Sequence, residues 1–538
     1  MARHYVIGLD FGTESVRGVL LDVESGAVTA SAVAAYRHGV MTTHIPSGRA
    51  LPPGWALQDA QDYVDATQTI LQTLGSGRRI LSIGIDFTAS TPLPTRADGT
   101  PLSVIHPDEP HAYAKLWKHR AAQPWAERIS MESRTALMRD GGKTFGEWMP
   151  AKAAQLADEA PDLWRAAERF IEAGDWMVWQ LTGCETRSLG FAGYKCHYTP
   201  AEGYLRDLVT NLDDKIGTPA PVGQCAGTLS DAWRVRTGIE GEAMVSIAVI
   251  DAHALLPAVG VTEPGTVVGS LGTSACYMVL SEDRLPLDPA FRGVKGGALP
   301  GLWCHEAAQA ACGDVLGWFV RSFPHGRDLS SGFAFYDDAA SRVAPDEGRP
   351  LALDWWNGAR MSLGDASVGG MMLGLGLHTS SVDMYWALLE SLCFGGRHIL
   401  ETFDQAGVNT ERLILASGLA ERAPVLMQMM ADVLDRDILV PSLCKATAIG
   451  AGIHAAVAAG IVPNFASGAA HFGGREMATY HPRAEASRIH NRRYARYVSL
   501  SQDETIIAAM QSLYGRSAGD VLDPSRIAVD AKAFLGTL

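Results

Sequence analysis

Two short glycine turns, about 260 residues apart, carry residue types that handle phosphate. The first is Gly8-Leu9-Asp10-Phe11-Gly12-Thr13 and the second is Gly272-Thr273-Ser274. A turn whose amides converge on one point holds phosphate oxygens, and glycine lets the main chain come close. Asp10 ends an apolar run and offers the oxygen ligand that magnesium takes, often through water. Thr13 adds a hydroxyl and Arg17 a cation. The plain alternative for the first segment is a β-hairpin with an acidic turn. A third candidate is Asp251, which follows the apolar pair Val249-Ile250. An oriented carboxylate there could take the proton of a hydroxyl that accepts a phosphoryl group. An ordinary aspartate has a pKa of about 3.9 and is ionised at neutral pH. The competing reading of Asp251 is a helix cap, and His253 reads as a structural neighbour.

The order of elements around these turns narrows the fold. Residues 5–10 read as a strand, 16–23 as a second, 24–27 as a turn and 28–36 as a third. A Rossmann or Walker-type site would send the chain from the glycines into a helix. Here the chain enters a hairpin. The pattern returns with strands at 266–271 and 275–280 around the second turn. A helical stretch then leads to a strand at 412–416, the turn Ser417-Gly418 and a Met-rich helix through Leu434. The first half has a matching strand at 80–86, ending in Phe87-Thr88-Ala89. These echoes predict an α/β protein with two lobes of one plan, 1–260 and 261–500, and a tail at 501–538 with no assigned role. Residues 151–173, 175–181 and 383–404 are expected to be helical, with Trp164 and Phe170 packed in the core.

Bulk properties exclude several classes. The 538 residues, 47% of them hydrophobic, suffice for more than one core. A net charge of −14 argues against nucleic acid or an anionic membrane as partner. The eight cysteines form no CxxC pair and read as buried thiols of a reducing compartment. The N-terminal MARHYVIGLDFG lacks the apolar stretch of a signal peptide. Residues 446–462 are apolar but rich in Ala and Gly and contain His454, so a buried helix is expected. A cytoplasmic protein follows from this reading.

The ordered motifs resemble the FGGY carbohydrate kinases, and within them the bacterial L-ribulokinases. They include DFGTESVR (10–17), GIDFTAS (84–90), LWKHRAAQ (116–123), GGKTFGEW (141–148), AGDWMVWQLTG (173–183), AGYKCHY (192–198), DAHALLPAVGV (251–261), LGTSACYMVL (271–280), HEAAQAACGD (305–314) and LMQMMADVL (426–434). The resemblance runs from about residue 5 to 500. It implies two ribonuclease H-like lobes of the actin, hexokinase and Hsp70 ATPase type, with an active-site cleft between them. It implies ATP as co-substrate, Mg²⁺, a ketopentose acceptor, a place in arabinose catabolism, and leaves a homodimer open.

Carried over by position, the resemblance makes Asp251 the catalytic base and a partner of the metal with Asp10. It assigns Gly12, Thr13 and Arg17 to the first phosphate loop and Gly272, Thr273 and Ser274 to the second. Ala89, Lys195 and Glu306 are the expected ketose contacts, and Trp117 an aromatic wall beside the sugar. Gly418 is expected near adenosine. The adenine-side loop departs from the family pattern, because Ala423 stands where an Asn is usual. Two alternatives remain at this stage. One is a kinase for another pentulose or polyol, such as D-ribulose, ribitol or xylulose. The other is a chaperone- or filament-type ATPase on the same scaffold.

Overall fold

Two almost continuously buried runs, an alternating third and tight turns fold the N-terminal chain into an antiparallel meander of β1 (His4–Phe11), β2 (Ser15–Asp22) and β3 (Val28–Ala35). The structure is a computed structural model that describes residues 3–514, apart from 141, 288–290, 360–362, 366, 367, 411, 444 and 475. After helix α1 (Ala60–Gly75), β4 (Arg79–Phe87) returns parallel to β1. Strands β5 (Cys225–Thr228), β6 (Met244–Ser246) and β7 (Val249–Ile250) complete a seven-stranded sheet, with β7 alongside the end of β4. Helices α2 (Met149–Glu159), α3 (Ala173–Thr182), α4 (Leu189–Lys195) and α5 (Asp251–Ala258) belong to this half of the chain.

The second sheet repeats the plan. Strands β8 (Val267–Leu271) and β9 (Ala275–Ser281) form a hairpin, joined by β10 (Arg292–Lys295) and β11 (Trp303–Gln309). Strand β12 (Leu413–Ala416) lies parallel to β8, as β4 does to β1, and β13 (Ile438–Pro441) and β14 (Met477–Tyr480) extend the edge. Helices α6 (Gly313–Ser322), α7 (Ser381–Gln405) and α8 (Pro424–Leu434) cover it, while α9 (Ala446–Ala458) packs back on β1 and β4 of the first sheet. Each sheet has its own apolar core, one around Phe11, Tyr63, Phe87 and Trp176 and one around Tyr277, Phe319, Tyr385 and Trp386. A third cluster draws Val6, Leu255, Val268, Ile414 and Ile449 from both halves and joins them.

A short internal repeat explains the geometry of the seam. Gly8-Leu9-Asp10-Phe11 on β1 and Gly84-Ile85-Asp86-Phe87 on β4 lie side by side in register, with the two phenylalanine rings stacked at 4.8 Å. Both glycines admit the backbone of α9. A Cβ at position 8 would lie 1.7 Å from the Ala448 carbonyl oxygen, and one at position 84 would lie 1.9 Å from that of Ala451. No larger residue fits either position without moving the helix.

Several expectations need correction. Residues 151–173 are not one helix: α2 stops at Glu159, Pro161–Ala166 forms another, and Arg169–Glu172 is a strand paired with Pro92–Thr95. Pro161 lacks the N–H that would continue the first helix and instead starts the second. The stretch before residue 412 is not wholly helical, since it holds β10 and β11. The Ala- and Glu-rich β11 reads as helix in isolation, and pairing on both edges overrides that propensity. The cysteines described are free, but Cys184 and Cys225 are exposed rather than buried; Cys444 lies outside the described residues. No helix among the described residues is long and apolar enough to cross a membrane. Of the expected tail, Ser501 ends the helix Ala484–Ser501, Glu504–Tyr514 is a further helix, and 515–538 lie outside the described residues.

Candidate active site

The parallel strands β1, β4 and β7 end together, and each end carries a carboxylate. Asp10 pairs with Asp86, Ile250 pairs with Phe87, and Asp251 follows as the first residue of α5. Asp10 is buried and accepts two hydrogen bonds on Oδ2, from Arg17 Nη1 at 3.2 Å and from Thr447 Oγ1 at 2.8 Å. Thr447 arrives from α9, far along the chain. The first loop is further held by Gly12 N–H donating to the Ser15 carbonyl and by Gln58 donating to the Thr13 carbonyl. Trp117 donates its indole N–H to Thr13 Oγ1 at 3.2 Å, so the expected sugar wall also braces the phosphate loop.

Asp251 differs from the ordinary carboxylate expected of its sequence. Burial pushes its pKa up to about 7, opposed by a hydrogen bond from the Ala252 N–H and reinforced by Asp10. Asp86, which sequence reasoning left unassigned, is completely buried and its oxygens receive no hydrogen bond from described residues. Burial, with Asp10 and Asp251 nearby, raises its pKa well above the carboxylate range. Its carboxyl is therefore driven toward the neutral form. The GLDF/GIDF identity was the available signal for it.

Lys195 ends α4 in one half of the chain and Glu306 sits on β11 in the other. They meet at 3.0 Å, with side chains 18% and 13% exposed, so both remain reachable from the cleft. His253, expected only as a neighbour, brings Nε2 to 3.2 Å from the other Glu306 oxygen and packs on Tyr194. Burial alone would raise the Glu306 pKa, but Lys195 and His253 outweigh it and hold it at about 2. The carboxylate is thus fixed in charge and in direction. Ala89 is buried at the end of β4, followed by Ser90 at φ 64°.

The second turn is built differently. Gly272 N–H donates to the Ser274 carbonyl, while the amides at the start of α6 reach back to it: Cys312 and Asp314 to the Thr273 carbonyl, and Gly313 to the Gly272 carbonyl. A Cβ on Gly313 would lie 2.8 Å from that Gly272 oxygen. Ser417, at φ 129°, turns its hydroxyl onto the Leu271 carbonyl and so ties the Gly418 loop to this turn. Ala423 is buried where the short helix Gly418–Arg422 ends. Gly313 and Thr447 were not legible as site residues, since each acts through a contact distant in sequence.

Two glycine-turn hairpins, strand-end carboxylates and an ion pair across the seam are the features expected above of a two-lobed sugar kinase. Family comparison agrees. The FGGY family of carbohydrate kinases matches with its N-terminal domain at residues 5–201 and its C-terminal domain at 267–459. A ribulokinase of Halalkalibacterium halodurans is 36% identical over 97% of this chain and 97% of its own length. One from Mycolicibacterium smegmatis is 38% identical over 93% and 94%. Among solved structures, a xylulose kinase from Rhodospirillum rubrum superposes with a TM-score of 0.77, covering 94% of this chain and 99% of that one at 21% identity. This last likeness speaks to the fold alone. The chain belongs to the FGGY family of carbohydrate kinases, enzymes that use ATP as co-substrate. Membership sets aside the chaperone or filament alternative.

Proposed function

We propose that this chain transfers the γ-phosphoryl group of ATP to the O5 hydroxyl of ribulose, L-ribulose foremost. The observation that carries the reading is the Lys195–Glu306 pair, which joins the two halves of the chain within electrostatic reach of Asp251. A ketopentose presents several hydroxyls and one carbonyl, and a fixed donor beside a fixed acceptor reads such a pattern. Ribulokinase relatives aligned almost end to end support the choice of sugar.

In this reading Lys195 donates to the ketose and Glu306 accepts from it, with Ala89 and Trp117 bounding the pocket. Asp251 orients O5 and takes its proton while the bond from O5 to the γ-phosphorus forms. The bond from that phosphorus to the bridging oxygen breaks, and ADP leaves. Gly12, Thr13 and Arg17 hold phosphate oxygens from one side and Gly272, Thr273 and Ser274 from the other. Gly418 allows close approach of adenosine. Residues 1–260 supply the sugar side and first loop, and 261–500 the second loop and nucleotide side, with α9 crossing back.

Asp10 suits Mg²⁺ held through water. Both its hydrogen bonds fall on Oδ2, which leaves Oδ1 to accept from a metal-bound water. Magnesium takes few protein oxygens and keeps waters and phosphate ligands, so one such carboxylate oxygen suffices for this role. Bound there, with Asp251 near, magnesium supplies positive charge to the phosphate oxygens.

The test is coupled ADP release at limiting ATP with L-ribulose, D-ribulose, D-xylulose, L-xylulose, ribitol and glycerol. L-Ribulose should give the highest kcat/KM. A different leading sugar reassigns the substrate, and release that no sugar stimulates rejects the reading.

A further inference from the structure

Lys152, on α2, is completely buried, and every partner of its ammonium group is a main-chain carbonyl. Its Nζ donates to Ser90 O at 2.6 Å, Leu116 O at 2.9 Å and Lys115 O at 3.2 Å, which uses all three of its protons. The acceptors belong to two separate segments. Ser90 directly follows Ala89, and Leu116 directly precedes Trp117. Glu172 grips the first segment from another side, where its Oε2 accepts the Thr91 N–H at 2.7 Å. Ser90 has φ 64°, so this turn holds a conformation that a non-glycine residue adopts only when its surroundings impose it.

We propose that Lys152 and Glu172 are positioning residues that set the width of the sugar pocket by locking the Ala89 turn to the Trp117 segment. Stability alone does not account for them. A buried ammonium pays a desolvation cost that a methionine of similar length avoids, so a lysine here is retained for what it ties together. A long stem with three rotatable protons joins three carbonyls on two segments at once. Burial lowers the Lys152 pKa and raises that of Glu172, and each partly restores the charge of the other. The pair touches neither phosphate loop. Its loss therefore loosens the acceptor side first and reaches the phosphate side only through the single Trp117–Thr13 hydrogen bond.

This inference rests on the ketose pocket proposed above, so its test needs one readout that does not depend on the sugar. The full chain is compared as wild type, Lys152→Met, Lys152→Arg and Glu172→Gln. Steady-state kinetics give KM for L-ribulose and for ATP, and amide hydrogen exchange is followed in peptides spanning 88–91, 115–118 and 417–424. In K152M, KM for L-ribulose should rise at least tenfold with KM for ATP within twofold. Exchange should quicken at 88–91 and 115–118 and not at 417–424. K152R should recover part of the sugar affinity, and E172Q should shift it in the same direction as K152M. Equal rises in both KM values, or unchanged exchange in the two segments, overturn the proposal. Should K152M fail to fold, E172Q decides, since an unchanged KM for L-ribulose in that variant also overturns it. If wild type shows no pentulose-stimulated turnover, the ribulokinase reading fails, while the exchange comparison still decides whether Lys152 locks the two segments.

Discussion

The proposed acceptor side and the proposed nucleotide side are made from different materials. Around Asp251 the work falls to side chains: Lys195, Glu306 and His253 form a polar cluster whose directions are set by one another. Around Gly272 it falls to backbone, with amides of α6 bonded to carbonyls of the turn and glycine at the closest approach. A sugar is recognised by individual hydroxyls, which need directed donors and acceptors. A triphosphate offers many equivalent oxygens, which convergent amides satisfy. The first side should therefore suffer when side chains are cut back, and the second when methyl groups are added.

The largest effect should come from Asp251→Ala, which removes the proposed base. Turnover should fall roughly 10²–10⁴-fold with unchanged thermal unfolding; turnover near wild type would take the catalytic role away from this residue. Next come Glu306→Ala and Lys195→Ala. Each strands one member of a mostly buried pair, a loss of about 2 kcal/mol, or roughly thirtyfold in KM for L-ribulose, with little change for ATP. Parallel loss for both ligands would make the pair structural. On the nucleotide side, Gly313→Ala should raise KM for ATP about tenfold, because the added methyl presses on the Gly272 carbonyl. Thr273→Val, which deletes a hydroxyl but no amide, should stay within about threefold; a larger effect would break the contrast drawn here. The smallest change is expected from Ala423→Asn. Restoring an amide to the adenine loop should lower KM for ATP by about two- to tenfold, one hydrogen bond's worth, and no change would mean the base does not reach this position.

The same contrast governs what could be read from the chain alone. Asp10, Asp251, Lys195 and Glu306 are charges set beside apolar runs or in recognisable motifs, and the structure brings the last three together with His253. The hairpins were legible because turn residues separate apolar runs of strand length. Asp86 was passed over although its tetrapeptide repeats that of Asp10, since only the strand register sets the two carboxyls side by side. Thr447 reaches Asp10 across more than four hundred residues, a relation that no local pattern encodes. Lys152 sits in an alanine-rich helix where a lysine ordinarily marks solvent, and Phe170 looked helical until Pro161 and strand pairing intervened.

The fit of α9 against glycines 8 and 84 has a consequence for how the enzyme shuts. Carbonyl oxygens stand where methyl groups would otherwise be, so the contact leaves no slack for α9 to slide along the first sheet. A movement of the two halves that preserved this contact would have to turn about the crossing rather than slide along it. Thr447 stands on this same helix and donates to Asp10, so the aspartate is tied to the one element whose position against the sheet is least free to change.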